Sequence, residues 1–124
     1  MNTMKALAYK ALGKIALEDR PVPKISAPNQ VLVKVIACGI CGTDVKILEG
    51  KHAVTVNAIL GHEFVGTVQE VGSAITTMKI GDRVSVDNSL RCGVCEFCRT
   101  GMSSQCDWLK DKSIGIFQDG GYAE

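Results

Sequence analysis

Six cysteines and one His-Glu pair hold most of the chemistry available to this sequence of 124 residues. Four of the cysteines, Cys92, Cys95, Cys98 and Cys106, follow C-x2-C-x2-C-x7-C. Zinc takes four soft ligands at tetrahedral corners about 2.3 Å away, and an x2 spacing lets one tight turn offer two thiolates to the same ion. Gly93 and Gly101 supply the backbone freedom for such turns. Four thiolates fill the coordination sphere, so the expected site is structural. An iron–sulfur cluster is the first rival, but the C-x2-C-x2-C-x3-C-P run of bacterial ferredoxins is not matched. Two disulfides are the second rival, and they suit small secreted proteins better than this chain.

The other cluster is Cys38-Gly39-Ile40-Cys41-Gly42-Thr43-Asp44, followed by His62-Glu63. Three readings compete. Half of a zinc ribbon paired with Cys92 and Cys95 would need a much shorter separation, and it would orphan Cys98 and Cys106. A redox C-x-x-C wants a helix start in a βαβ context, and none is visible. The third reading is a catalytic zinc site made of Cys41, His62 and a third protein ligand, with one position open for substrate. Glu63 can complete the ligand set or stand behind His62. Spacing alone leaves these readings open.

The elements that must position these residues read mostly as strands. Met4 to Tyr9 and Ile15 to Arg20 form an opening pair joined near Gly13. Gln30 to Ile36 is rich in β-branched residues, with Val31, Val33 and Val35 on one face. Phe64 to Val71 alternates, and Arg83 to Val86 follows a turn at Ile80-Gly81-Asp82. Pro21-Val22-Pro23 and Ala27-Pro28-Asn29 break the chain before the central strand. Only one stretch reads helical: Thr43 or Asp44 is expected to cap a short helix through Val45, Ile47 and Leu48, ending at Gly50. Residues 88–111 lack periodicity and are expected to be a lobe held by metal. The chain stops at Gly120-Gly121-Tyr122-Ala123-Glu124, where another strand begins, so it is expected to be cut short of a natural end.

Composition sets the outer limits. The hydrophobic fraction is 46% and the charged fraction 22%, near the globular average. Fourteen Lys and Arg face thirteen Asp and Glu, which gives no electrostatic reason to expect nucleic acid or a membrane surface as partner. No apolar run approaches the roughly 18 residues of a spanning helix. The first residues, Met1-Asn2-Thr3-Met4-Lys5, lead into no long apolar core with a cleavage site, so no secretory signal is expected. The reduced thiols fit a cytoplasmic setting.

Five motifs come in one order: C-G-I-C-G-T-D, G-H-E-F-V-G, G-D-R-V, the four-cysteine run, and G-G-Y-A-E. Together they resemble the N-terminal, GroES-like domain of the zinc-dependent medium-chain alcohol and polyol dehydrogenases, from about Met4 to Glu124. The resemblance implies a mostly-β barrel spanning residues 1–124, with short helices and a structural zinc lobe at 88–111. It implies that Cys41 and His62 ligate the catalytic zinc, with Glu63 as ligand or neighbour, and that Cys38 only packs. It makes Thr43 the hydroxyl that relays the substrate proton and Asp44 the carboxylate that orients His62. Cys92, Cys95, Cys98 and Cys106 match the structural zinc ligands.

The implied reaction is oxidation of a secondary alcohol or polyol, with hydride passing to NAD or NADP. That cofactor would sit on a Rossmann-type domain, and no G-x-G-x-x-G occurs in this chain. The resemblance also implies a homo-oligomeric full-length enzyme and an inactive isolated chain. Two departures stand out. Val45-Lys46 follows the T-D pair where many members carry a His, and Gly42 stands where some place a basic residue against the cofactor phosphate. A later Cys, Asp or Glu often completes the catalytic zinc in the family. The contrasting readings are a zinc-stabilised barrel that serves as a binding scaffold, and a zinc-free quinone-type reductase. An open second metal site separates the enzyme from both.

Overall fold

The computed structural model describes residues 2–109 and 112–124. Lys110 and Asp111, within the expected lobe, lie outside the described residues. The opening hairpin is β1 (Thr3–Ala11) and β2 (Lys14–Pro21), paired antiparallel with a register shift near Tyr9. A second sheet has the order β3-β4-β5, with β3 at Val31–Cys38, β4 at Phe64–Val71 and β5 at Arg83–Ser85. All described strand pairs are antiparallel. The expected strands are therefore present, β4 to the residue and the others within two residues at their ends.

The two sheets are joined by backbone hydrogen bonds from segments that are not strands themselves. Ala6 bridges Ala123, and Ala8 bridges Ile59. On the far side of the tail, the Val35 N–H donates to the Glu124 carbonyl at 3.1 Å. The strand start read at the end of the chain is thus the piece that spans from β1 to β3. Buried backbone groups must find partners, and here the tail supplies them for both sheets.

Alternation places the core. On β4, Gly66 and Val68 turn inward while Val65 and Gln69 face out. On β3, bulges near Val33 and Ala37 interrupt the alternation, so Val31, Val33 and Val35 are only half-buried and Ile36 is exposed. Tyr9, Ile47, Leu60 and Ile116 form the main cluster, flanked by Leu48, Val54, Phe117 and Tyr122. The core therefore draws on β1, the helix, and the loops at 54–60 and 114–122.

One helix, α1 (Gly42–Leu48), carries Ile47 into that cluster. Its cap differs from the expectation. Cys41, not Thr43 or Asp44, is the N-cap: its sulfur accepts from the Thr43 N–H, and Asp44, at the third helical position, accepts from the Cys41 N–H. This is a capping box with a thiol in the role usually held by a hydroxyl. A second short helix, α2 (Glu96–Arg99), and a 3-10 turn at Ser103–Gln105 lie in the lobe, where no helix was expected. Four residues without an apolar face leave no periodic trace in a sequence. No helix among the described residues is long and apolar enough to cross a membrane.

Candidate metal centres

The four lobe cysteines converge. One sulfur from each of Cys92, Cys95, Cys98 and Cys106 lies within 4.8 Å of the others. The Cys92 and Cys106 sulfurs are 3.6 Å apart. Tetrahedral ligands on 2.3 Å bonds stand roughly 3.8 Å from each other, so the group is gathered closely enough to hold a zinc ion. Gly93 and Gly101 adopt φ of +74° and +82°, the left-handed turns the cysteine spacing required. Backbone N–H groups are already turned toward sulfur: Cys95 N–H donates to Cys92 Sγ at 3.3 Å, and Trp108 N–H to Cys106 Sγ at 3.4 Å.

Those dipoles favour thiolate. Hydrogen bonds from the Cys98 and Asp107 backbone bring the Cys95 thiol down to about 6. The Cys92 and Trp108 N–H groups lower Cys106 as well. Loss of solvation pushes Cys98 the other way, to about 12. A divalent ion would bring all four to the thiolate. All six cysteines of the chain are free, so no disulfide competes.

The second group joins Cys41, His62 and Glu63, each with one donor atom within 4.8 Å of the other two. Cys41 is carried by the turn after β3, as the cap of α1. His62-Glu63 sits immediately before β4, which pairs with β3 and so brings the two strand ends together. The Gly39 N–H donates to the Glu63 carbonyl at 2.8 Å and closes this corner. Cys38 stays outside the group and packs against Gly61, and burial pushes its thiol up.

Asp44 and His62 are the buried polar residues of the barrel, 5% and 8% exposed. Asp44 Oδ1 and His62 Nδ1 lie 3.6 Å apart, and neither has a hydrogen-bond partner. A buried polar atom left unpaired costs about 1–3 kcal/mol. The ring is thus aimed at a carboxylate through Nδ1, which leaves Nε2 for a metal, the usual arrangement of a metal-bound histidine. The donor set of thiolate, imidazole and carboxylate suits zinc. Three protein donors with a fourth corner open is the composition of a catalytic site. The Thr43 hydroxyl stands 3.7 Å from Cys41 Sγ, at the edge of the same space. A cleft of about 360 Å³ opens on the other two donors, between His62-Glu63 and the Ser85–Asn88 segment.

The structure therefore brings together every residue singled out for the two sites. It also adds Tyr122, whose hydroxyl donates to Asp44 Oδ2 at 2.9 Å. Tyr122 carried no sequence signal beyond its place in G-G-Y-A-E, because nothing in spacing links a tail residue to Asp44.

Known proteins carry the same arrangement of chain. Residues 27–124 match the family described as the alcohol dehydrogenase GroES-like domain. An L-threonine 3-dehydrogenase from Mesorhizobium japonicum is 41% identical over 128 residues, which cover 99% of this chain and 36% of that protein. A D-altritol 5-dehydrogenase from Agrobacterium fabrum is 38% identical over 122 residues, 98% of this chain and 35% of its own. A crystal structure from Sinorhizobium meliloti 1021, described as a zinc-binding dehydrogenase bound to NADP, superposes with a TM-score of 0.89 at 41% identity. It covers 100% of this chain and 35% of its own. The chain thus spans about a third of the length of these relatives. On the matched barrel, its extent and its identity to these dehydrogenases, the chain belongs to the zinc-type medium-chain alcohol dehydrogenase family, through its GroES-like domain.

Proposed function

We propose that residues 1–124 form the catalytic domain of an NAD(P)-dependent dehydrogenase that oxidises a secondary alcohol or polyol. The observation that carries this reading is the open Cys41–His62–Glu63 group, backed by the unpaired Asp44–His62 pair. A scaffold barrel needs the four-cysteine lobe but has no use for a second, three-donor site beside a cleft.

Cys41, His62 and Glu63 would hold the ion. Zinc in that position supplies Lewis-acid polarisation of a bound alcohol oxygen, which eases loss of its proton near neutral pH. The rest falls to side chains of this chain. Asp44 keeps the imidazole oriented, so the ligand set is preorganised. Thr43 offers a hydroxyl close enough to the Cys41 sulfur to take the alcohol proton and pass it outward. The residues after Thr43-Asp44 are Val45 and Lys46, so the outer relay differs from one that ends on a His, or runs through water. Cys92, Cys95, Cys98 and Cys106 would hold a structural zinc that shapes the lobe over 88–111. Hydride acceptance needs NAD or NADP, as in the NADP-bound relative, on a further domain. The protein works in a reducing, cytoplasmic setting, as a homo-oligomer in its full-length form, with no nucleic acid or membrane as partner.

The test is alcohol-dependent NAD(P) reduction, followed by nicotinamide absorbance. The chain joined to a cofactor-binding domain should turn over secondary alcohols or polyols and lose activity with a chelator. The 124-residue chain alone should show none. Turnover that survives complete removal of zinc would overturn the reading.

A further inference from the structure

The two oxygens of Asp44 are used unequally. Oδ2 accepts two hydrogen bonds, from the Cys41 N–H and from the Tyr122 hydroxyl, both at 2.9 Å. Oδ1 accepts none and faces His62 Nδ1. The Cys41 donor is local, part of the α1 cap. The Tyr122 donor arrives from 78 residues away. A carboxylate held at one oxygen by a single local donor can still turn about its last torsion, which is broad. A second donor on the same oxygen, from a different direction, fixes the plane and decides which oxygen meets the imidazole.

Tyr122 is built to do this. Its N–H donates to the Leu60 carbonyl at 2.9 Å, and its own carbonyl accepts from the Leu7 N–H at 2.8 Å. Its ring lies flat enough on Gly61 that a Cβ there would fall 2.7 Å from Tyr122 Cδ1, and Gly61 itself holds φ +92°. Tyr122 therefore touches both the backbone immediately before His62 and the carboxylate beside the His62 ring. Its oxygen is also 3.1 Å from the Gly39 carbonyl. One hydroxyl proton serves one acceptor at a time, and the Asp44 bond is the shorter and charge-assisted one. Burial and the neighbouring carboxylate push the phenol well above its ordinary range, so it stays a donor.

We propose that Tyr122 is a positioning residue for the metal centre: its hydroxyl fixes the Asp44 carboxylate so that Oδ1 faces His62 Nδ1, which holds the ring in its Nδ1–H tautomer and leaves Nε2 free for the ion. Closing the barrel with the tail and ordering the metal site are then one event. The proposal rests on the metal reading of Cys41, His62 and Glu63, but its first consequence is visible without metal at that site.

The experiment is ¹⁵N NMR of the His62 ring in the chain given one equivalent of zinc, enough for the lobe alone, with exposed His52 as the reference. Wild type and Tyr122→Phe are compared; the variant keeps the ring and removes only the oxygen. Wild type should show the Nδ1–H tautomer, and Tyr122→Phe a mixture of both. A cobalt titration follows, read by the thiolate–cobalt absorption that Cys41→Ser removes. It should show affinity about 10-fold weaker in Tyr122→Phe, with the lobe unchanged. An Nε2–H ring in wild type, or the same tautomer ratio in both proteins, overturns the proposal. If wild type shows no Cys41-dependent cobalt band, the metal reading fails while the tautomer comparison still decides the role of Tyr122. If Tyr122→Phe does not fold, Asp44→Asn tests the link on which the proposal depends, that the atom facing Nδ1 sets the tautomer. Its single amide oxygen must serve both donors and its NH₂ then faces Nδ1, so the ring should switch to Nε2–H; an unchanged tautomer overturns the proposal equally.

Discussion

In the enzyme that joins this chain to a cofactor-binding domain, His62→Ala should lower kcat/KM by about 10³-fold or more. His62 supplies one of three donor atoms, and without it Cys41 and Glu63 cannot hold an ion at a tetrahedral site. The loss is that of Lewis-acid polarisation, several kcal/mol, and each 1.36 kcal/mol off the barrier is about tenfold in rate. The same change strands Asp44 Oδ1 without the ring it faces, in a pocket where Asp44 is 5% exposed. Truncating the buried ring, 8% exposed, also leaves a cavity, so stability should fall by about 1–3 kcal/mol as well. Steady-state kinetics with metal content measured on the same sample separates the two effects. A His62→Ala enzyme within tenfold of wild type would mean that the chemistry does not pass through this site.

A second large effect is expected in the lobe. Cys106→Ser should release about one zinc per chain and leave the lobe open to protease at Arg91 and Arg99, while the barrel stays folded. The lobe has almost no core to fall back on. Cys106 is the one buried residue among described residues 88–109, and α2 buries none. Val94 and Trp108 are 75% and 61% exposed. Binding of a structural zinc contributes on the order of 10 kcal/mol or more, which is what a segment with so little apolar burial needs. The barrel is different, because Tyr9, Ile47, Leu60 and Ile116 pack without any help from the lobe cysteines. Limited proteolysis with and without chelator is the measurement. A Cys106→Ser chain that resists cleavage as well as wild type would show that the lobe stands on its own packing.

Much of this was legible in the residues. β3 is readable from its β-branched run and β4 from its alternation, and β4 matches its expected span to the residue. The four-cysteine site follows from spacing, because x2 intervals carry their own geometry. The Cys41 site did not follow from spacing, since its ligands come from the ends of two strands and meet only when β3 pairs with β4. The cap of α1 was misplaced for a physical reason. A thiol rarely caps a helix, and Cys41 does so here while also serving in the candidate metal group. Tyr122 was out of reach for another reason: its contact with Asp44 depends on where the tail lies between the sheets. A local pattern reports turns and faces, not which distant segment closes a barrel.

The most direct measurement is zinc per chain, by mass spectrometry, on wild type and Cys41→Ser. With three donors on this chain at one site and four at the other, wild type should hold about two ions and Cys41→Ser about one. About one ion in both proteins would contradict the account, because the lobe would then be the only metal site these residues build.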